Sequence, residues 1–379
     1  MGFIERRNGR YRARYRDPLG GQRCETFTRK ADAERYLREM QVEIERGQWL
    51  DPRGADVPLS VWAEEFLALA RRLSPTTQAT YRRDLSKYIL PRFGAYRLGR
   101  LPAGEIENWL NDEVAAGTAP SSVHRHYRTL RRALQVAVEK QKIAANPCDR
   151  VHPPRVPRRE MMFLSWDQAV DLAETHHERY RALIYLAVDS GMRWSELVGL
   201  RRARLDVRTR KVRVTEQLIR LGAGEWLRKQ PKTPASVRSI TISAVTADIL
   251  GEHLERFAAG GPDGLVFPNR AGNAIISSSF WGAYFSPALH RAELSCRFHD
   301  LRHTSVALAI ADGAHPKAIQ ARMGHSSINV TLDRYGHLFP ELDEAIAVAF
   351  GERLAAARAD RERKVVYASF GHQGQERGR

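Results

Sequence analysis

A short run near the middle of the chain, residues 152–159 (HPPRVPRR), prevents the chain from folding as one continuous body. Three of its residues are proline, which lacks an amide hydrogen and fixes φ near about −65°, so a regular helix or central strand cannot pass through it. Three more are arginine, and no hydrophobic spacing is present. This composition is typical of an extended linker. We therefore expect separate folded parts in the 379 residues, joined by a linker over 151–159.

Ahead of the linker, residues 1–57 predict a small module of strands and one helix. Four arginines alternate with Tyr11, Ala13 and Tyr15 in this segment. A period of two places the four arginine side chains on one face of a strand and the other three side chains on the opposite face. These arginines are Arg10, Arg12, Arg14 and Arg16. Residues 17–21 indicate a turn, 23–27 a return strand and 30–46 a helix. An arginine-lined strand suits contact with DNA, although a solvated sheet face that binds nothing has the same pattern.

Residues 58–150 predict a helical domain, because apolar residues recur three and four positions apart. One helix begins near Leu59, and a second begins at Pro75 and is expected to stop before Pro91. The last helix, over 123–138, has the clearest apolar face. A basic flank lies beside that face and consists of Arg125, Arg128, Arg131 and Arg132. Residues 58–159 carry 18 basic and 9 acidic side chains, which favours phosphate contact over a merely solvated face.

The charge of the whole chain is strongly positive, with 61 Lys and Arg against 44 Asp and Glu. Residues 160–350 are nearly neutral, with 23 basic and 21 acidic side chains, so the excess lies mainly outside them. This pattern predicts basic clamps on a neutral body and a polyanionic partner, which charge alone does not distinguish as nucleic acid or anionic lipid.

The longest apolar run, Ala182–Val188, is far shorter than the roughly 20 residues that span a bilayer, so we expect a protein that is neither secreted nor membrane-spanning. Cys24, Cys148 and Cys296 are too widely spaced for a disulfide framework or a CxxC zinc site, and they fit a reducing cytoplasm.

Residues 160–350 predict mostly helices, interrupted by strands at 211–215, 217–221 and 237–242. The tail, 351–379, begins with a short helix over 352–358 and then becomes polar, which predicts disorder at its end. The predicted fold class is mainly α with small β regions (α+β). It comprises an N-terminal β-sheet/helix module, a helical domain and a mixed α/β domain.

Four short segments of the last domain carry residues suited to chemistry: 190–197 (SGMRWSEL), 231–233 (PKT), 299–304 (HDLRHT) and 324–327 (GHSS), with Tyr335 following. Each alone has an ordinary structural explanation, such as a helix cap, a turn lysine or a packed tyrosine. Together they suit attack on a phosphodiester. Arg193 and Arg302 would neutralise the developing charge, and Tyr335 would be the nucleophile. His299 and His325 would move protons or hold a phosphate oxygen, and Lys232 would protonate the departing oxygen.

These segments resemble the tyrosine recombinase (phage integrase) family, whose signature runs Arg, Lys, His-x-x-Arg, His or Trp, Tyr. The resemblance assigns the six catalytic roles to Arg193, Lys232, His299, Arg302, His325 and Tyr335. It also implies that 58–150 is a core-binding (SAM-like) domain and 160–350 a catalytic domain. More weakly, on charge pattern and position, it implies that 1–57 is an arm-type DNA-binding module.

The resemblance implies a mechanism as well. Tyr335 would form a 3′-phosphotyrosyl link and leave a free 5′-hydroxyl, and rejoining would need no metal, ATP or other cofactor. Four protomers would act on two DNA duplexes through a Holliday junction, in the cytoplasm and at the nucleoid. A host DNA-bending protein and an excision factor would be further partners.

Some residues beside the motifs receive supporting roles. Glu196 is expected to orient Arg193 or to cap its helix, and His303 to support the site. The apolar side chains after the tyrosine are expected to pack on a neighbouring subunit or within the same chain; they are Leu342, Ile346, Val348 and Phe350.

Three functions remain open at this point. The first is a site-specific integrase of a phage or mobile element. The second is a Xer-like resolvase or a type IB topoisomerase-like enzyme, against which the additional module 1–57 argues. The third is a protein that only binds DNA, which a complete set of six catalytic positions disfavours.

Overall fold

The computed structural model describes residues 2–18, 20–47, 49–157, 160–221, 224–230, 234–338, 347–348 and 350–361. The chain forms two compact units, Met1–Arg158 and Arg159–Arg379. The boundary between them falls inside the proline- and arginine-rich run.

The first unit begins with an antiparallel sheet in the order β1-β2-β3, made of β1 (Phe3–Arg7), β2 (Arg10–Arg16) and β3 (Gln22–Phe27). Helix α1 (Lys30–Glu45) follows and packs on β2. Ala13 and Tyr15 are buried, so the period of two correctly predicts which face of β2 is covered. Strand β1 is not predicted from the sequence, because it has no apolar alternation. A two-residue turn with positive φ at Asn8 and Gly9 pairs β1 with β2.

The chain after α1 folds back onto this sheet. The indole Nε1 of Trp49 donates to the Tyr15 hydroxyl at 3.2 Å. The Asp51 carboxylate accepts from Arg23 of β3 at 3.0 Å and also caps the next helix by accepting from the Arg53 amide. These contacts join the sheet to the start of the helical domain.

The helical domain contains α2 (Pro52–Ala55), α3 (Leu59–Leu69), α4 (Pro75–Asp84), α5 (Leu90–Phe93), α6 (Ala103–Ala115) and α7 (Pro120–Glu139). Its core includes Trp62, whose indole donates to the backbone carbonyl of Ala133 in α7. The predicted stop before Pro91 is wrong. A π-helical turn over Leu85–Ile89 carries α4 directly into α5 and accommodates Pro91 within a continuous helix.

In the second unit the helices are α8 (Trp166–Glu174), α9 (Glu178–Ser190), α10 (Trp194–Leu197), α11 (Ala244–Arg256), α12 (Ser277–Phe280), α13 (Ser286–Arg291), α14 (Asp300–Ala311), α15 (Pro316–Met323) and α16 (Ile328–Tyr335). The strands are β4 (Leu205–Asp206), β5 (Lys211–Val214), β6 (Gln217–Leu221), β7 (Glu225–Lys229) and β8 (Arg238–Thr241). They form two antiparallel sheets, β4-β5-β8 and the hairpin β6-β7. Strand β7 is not predicted as a separate strand from the sequence. Helix α9 contributes Leu183, Ile184 and Leu186, which are fully buried, to the core.

The end of the described chain is helical over 350–361. Val348 and Phe350 are exposed in this chain, so they do not pack against its own core. Leu342 and Ile346 lie outside the described residues. Within the described ranges, no helix has the length and apolarity that crossing a bilayer requires.

Candidate active site

Arg193 is placed by the end of α9. Gly191 terminates that helix in the left-handed conformation (φ +62°), and a Cβ there would lie 2.6 Å from the Met323 sulfur, so backbone conformation and packing both favour glycine. Arg193 then precedes α10 with a partly exposed side chain. Glu196, one turn later and buried, accepts the Arg193 amide at 2.9 Å and its guanidinium at 3.0 Å. Glu196 therefore both caps the helix and orients Arg193.

The carboxylate of Glu196 is ionised although it is buried. Burial disfavours its charge, but hydrogen bonds from Arg238 and from the Arg193 amide prevail, so the pKa of Glu196 lies below its usual value. A charged Glu196 holds its two arginines more firmly than a neutral acid does.

Arg302 lies in the first turn of α14, where its side chain is buried. Its guanidinium donates to the carbonyl of Gly191 and, at 2.7 Å, to the carbonyl of Met323. Burial and then the charges of Arg193 and Arg238 lower the pKa of Arg302 to about 9, so the side chain stays cationic at neutral pH. Two arginines from distant parts of the chain thus meet beside Gly191.

His325 follows the helix that ends at Gly324, another glycine with positive φ. The ring of His325 is buried and its Nδ1 is 2.9 Å from the Thr331 hydroxyl oxygen, which fixes its orientation. Burial and then the charges of Arg302 and Arg193 lower the pKa of His325 to about 4. His325 is therefore a neutral hydrogen-bonding group close to both arginines.

Tyr335, the last residue of α16, is buried, with 1% of its surface exposed. Its hydroxyl oxygen is 2.6 Å from Nδ1 of His303, one turn after His299 on α14. Burial raises the pKa of Tyr335, although the charges of Arg302 and Arg334 oppose this shift. Burial is the larger cause that lowers the pKa of His303 to about 4, and the charge of His299 adds to it. For His299 the pKa is also lowered, first by burial and second by the charge of Arg302.

The structure thus brings five of the six predicted catalytic residues into one region of the second unit. Lys232 lies outside the described residues, in the segment between β7 and β8. Two further residues belong to the site, although the sequence gives His303 only a vague supporting role and does not indicate Arg238. His303 lies inside the HDLRHT motif, where its position beside the tyrosine is not visible from spacing. Arg238 follows the lysine segment and contacts Glu196, 42 positions away.

The predicted DNA-contact residues lie on two surfaces of the first unit. Arg10 and Arg16 at the ends of β2 are exposed, and Arg14 forms an ion pair with Glu5 of β1. On α7, a cavity of about 470 Å³ is lined by Arg125, Arg128, Arg131 and Arg132, among others. Three of these arginines also form ion pairs inside the chain: Arg125 with Asp84, Arg131 with Asp149 and Arg132 with Glu139.

Comparison with known proteins identifies the family. Residues 162–341 match the phage integrase family, 59–113 its N-terminal SAM-like domain, and 2–46 the phage integrase N-terminal domain. The putative prophage phiRv2 integrase of Mycobacterium tuberculosis is 29% identical over 350 residues, which are 90% of this chain and 92% of the relative. Tyrosine recombinase XerC of Xanthomonas campestris pv. campestris is 30% identical over 296 residues, 75% of this chain and 86% of XerC.

The chain belongs to the tyrosine recombinase (phage integrase) family. It is a site-specific recombinase, an enzyme that cleaves and rejoins DNA. The resemblance inferred from the motifs is therefore confirmed.

Solved structures confirm the fold class of this recombinase. The Tn1549 transposon integrase, in complex with a circular intermediate DNA, gives a TM-score of 0.66 at 21% identity and covers 78% of this chain and 99% of its own. The lambda integrase tetramer bound to a Holliday junction gives 0.57 at 20% identity, with 90% and 95% covered. Both share the mainly helical architecture with small antiparallel sheets.

Proposed function

We propose that the recombinase cleaves DNA through Tyr335. The Tyr335 oxygen forms a bond to the scissile phosphorus while the bond from phosphorus to the 5′-oxygen breaks. This step leaves a 3′-phosphotyrosine and a 5′-hydroxyl. The phenol proton passes to Nδ1 of His303, which lies 2.6 Å from the hydroxyl oxygen. Lys232 protonates the departing 5′-oxygen, as the family resemblance implies. Rejoining reverses these steps with a partner strand, so the energy of the diester is kept and no ATP is consumed.

The observation that carries this proposal is that Arg193 and Arg302 lie close together, with Arg302 next to the nucleophile. Both charges act on His325, and that of Arg302 also acts on Tyr335. Arginine pairs with phosphate through two parallel N–H groups, so two arginines suit the two non-bridging oxygens of the transition state. Neutral His325 supplies another hydrogen bond to the same group. His299 immediately precedes α14, close to Arg302, and supports the proton movement.

The test is covalent capture on DNA. A plasmid that carries the DNA flanking the coding sequence supplies the attachment region, and the crossover duplex recovered from recombined plasmids serves as the substrate. On a nicked form of this crossover duplex, wild-type protein should form a covalent adduct and Tyr335→Phe should form none. Adduct formation by Tyr335→Phe would show that Tyr335 is not the nucleophile. Strand exchange should persist in EDTA, and its loss there would contradict a metal-free mechanism.

We further propose that the biological role is integration and excision of a phage or another mobile element. The match of residues 2–46 to the phage integrase N-terminal domain supports this role over a Xer-like resolvase, because the family resemblance implies that simple resolvases generally lack this module. Recombination between two different attachment sequences on separate plasmids would support integration. Activity only between identical sites on one plasmid would support resolution.

The proposed partners are double-stranded DNA at core and arm sites and three further copies of the chain. The tetrameric lambda integrase on a Holliday junction supports this assembly for a chain of the same fold. The arginine faces of β2 and α7 are the proposed arm and core contacts. A host bending protein, an excision factor and a nucleoid location stay predictions.

A further inference from the structure

Arg238, the first residue of β8, has its charged group inside the protein. Only 6% of its side chain is exposed, against 36% for Arg193. Its guanidinium forms a two-pronged pair with Glu196, in which Nη1 donates to one carboxylate oxygen at 3.1 Å and Nη2 to the other at 2.9 Å. Glu196 is the same carboxylate that orients Arg193. One buried acid therefore lies between two arginines of different exposure.

The remaining N–H groups of Arg238 reach two further segments. Nε donates to the carbonyl of Arg322 at 2.7 Å, and Nη1 also donates to the carbonyl of Ser236 at 3.2 Å. The first contact lies at the end of α15, just before His325, and the second lies in the turn that follows Lys232. Arg238 thus contacts the helix that follows Arg193, the helix end that precedes His325 and the turn at Pro234–Ser236, which comes after Lys232 in the sequence.

Gly324 shows how closely the helix end packs on this side chain. A Cβ at Gly324 would lie 3.1 Å from Cδ of Arg238 and 3.3 Å from its Nη1, and the glycine has φ of +65°. The Arg238 side chain therefore leaves no free space for a side chain at the residue before His325.

We propose that Arg238 is a positioning residue that prepares Arg193 for the scissile phosphate, an inference that rests on the proposed function. Arg238 itself cannot receive the phosphate, because its nitrogens are directed at Glu196 and at two backbone carbonyls. Its effect passes through Glu196. With Arg238 present, its positive charge already balances the carboxylate charge of Glu196. The guanidinium of Arg193 is then oriented by one hydrogen bond to Glu196 and keeps its positive charge available for the phosphate. Without Arg238, Glu196 would pair fully with Arg193 and compete with the phosphate for it.

The shape of arginine is needed as well as its charge. Two parallel donors for Glu196 and a third for the Arg322 carbonyl require the planar fork, which the single ammonium group of lysine does not offer. Arg238→Lys therefore retains the charge and loses the geometry, whereas Arg238→Met loses both at similar length. Comparison of the two variants separates charge balance from orientation.

The chain provides a matched control. Glu216 is also held by two arginines, Arg201 at 3.3 Å and Arg228 at 2.6 Å, and lies just before the β6-β7 hairpin. Arg201→Met removes one arginine from a comparable cluster that orients none of the proposed catalytic residues. Its effect on folding calibrates the structural cost of such a loss.

The experiment measures single-turnover cleavage of the nicked crossover duplex, affinity for the same duplex, and thermal unfolding of the full chain. The duplex is prepared in two forms, with an ordinary scissile phosphate and with a methylphosphonate, which has no negative charge at that position. If an arginine acts by stabilising the negative charge of the phosphate, its replacement slows cleavage of the methylphosphonate duplex less than cleavage of the ordinary duplex. Arg193→Gln provides the reference for that behaviour.

We expect Arg238→Met to bind the duplex about as tightly as wild type and to cleave the ordinary phosphate on the order of 100-fold more slowly. On the methylphosphonate the deficit should shrink at least tenfold, as for Arg193→Gln. Arg238→Lys should fall between Arg238→Met and wild type, and Arg201→Met should cleave both forms like wild type.

Two results would overturn the inference: wild-type cleavage by Arg238→Met or Arg238→Lys, or an equal deficit on both forms of the duplex. If Arg238→Met does not fold, the same criteria apply to Arg238→Lys. If neither variant folds, Arg238 is a structural residue and the inference is rejected. Failure of the wild-type protein to form an adduct would instead reject the proposed function.

Discussion

The hydroxyl of Tyr335 and Nδ1 of His303 are hydrogen-bonded at 2.6 Å inside the second unit. Burial raises the pKa of the phenol and, together with His299, lowers the pKa of His303 to about 4. Both partners are therefore uncharged at neutral pH. The nucleophile rests protonated and paired, and the group that contacts its proton is a histidine of the HDLRHT segment.

Replacing His303 should slow cleavage in a pH-dependent way. His303→Phe removes the proton acceptor, and we expect single-turnover cleavage to fall by about 100-fold at neutral pH. The deficit should narrow at strongly alkaline pH, because hydroxide then removes the phenol proton, whose pKa burial raises above its ordinary value. A pH–rate profile of both proteins tests this. His337→Phe, at an exposed position near the tyrosine, is the control, and a deficit that does not change with pH would contradict the role of His303.

Replacing Arg302 should affect both cleavage and folding. Arg302→Gln cannot donate to the Gly191 and Met323 carbonyls together, so we expect a loss of about 1–3 kcal/mol in unfolding free energy. Cleavage should fall by about 100- to 1,000-fold, because a fixed cation is missing at the phosphate. Chemical denaturation and adduct formation measure the two effects. Arg256→Gln loses an exposed ion pair with Glu178 and a cation–π contact with Phe257, both far weaker than the buried contacts of Arg302. This variant should leave cleavage unchanged and lower the unfolding free energy by at most about 1 kcal/mol.

The motifs predict the chemistry of this site better than its supporting contacts. Arg193, His299, Arg302, His325 and Tyr335 are identified by residue type and order, and the structure places them together. The pair Glu196 and Arg238 is not predicted, because it joins residues 42 positions apart and sequence spacing indicates only contacts within one helix or strand. The sequence predicts a supporting role for His303 but not its contact with Tyr335, because that contact depends on how α14 and α16 pack.

The fold shows the same division between regular and irregular features. Alternation predicts the buried face of β2, and helical spacing predicts the apolar face of α7. Strand β1 (FIERR) and strand β7 (EWLRK) are missed, since both are short and strongly charged, and pairing with a neighbour stabilises them more than their own pattern indicates. Pro91 misleads because a π-helical turn absorbs it.

Acid should destabilise the second unit through its buried histidines, which are His303 and His325 in the active site and His176 and His253 outside it. His176 bonds the Leu172 carbonyl and His253 the Val266 carbonyl, and burial lowers the pKa of each from 6.5 to about 4. Between these values the unfolded chain binds more protons than the folded chain, so stability is complete above pH 6.5 and falls as the pH drops toward 4. Each histidine contributes at most about 3 kcal/mol to this fall.

The test of this acid sensitivity is chemical denaturation at several pH values across that window. A variant with His176→Gln and His253→Gln should show a flatter dependence, because glutamine does not titrate. His152→Gln, at an exposed position, should leave the dependence unchanged. An equally steep fall in the double variant would assign the acid sensitivity to other groups.

Removing arginines from β2 should weaken DNA binding in a salt-dependent way. Arg10→Gln with Arg16→Gln should reduce the affinity for duplex DNA and lower the slope of log K against log salt by about 0.9 for each phosphate that is no longer neutralised. Arg38→Gln, an exposed charge on α1, should leave the slope unchanged. Binding titrations of the full chain at several salt concentrations measure these slopes. Equal slopes for wild type and the double variant would leave β2 as a solvated face.

The carboxylate of Asp51 contacts both the N-terminal sheet and the helical domain. It accepts from Arg23 of the sheet and from the Arg53 amide in the first turn of the helical domain, so these contacts favour movement of the sheet together with that domain. If the arginine faces of β2 and α7 bind two DNA segments at once, as proposed, the double helix between the segments must bend. The elastic cost of such a bend is on the order of 1–6 kcal/mol.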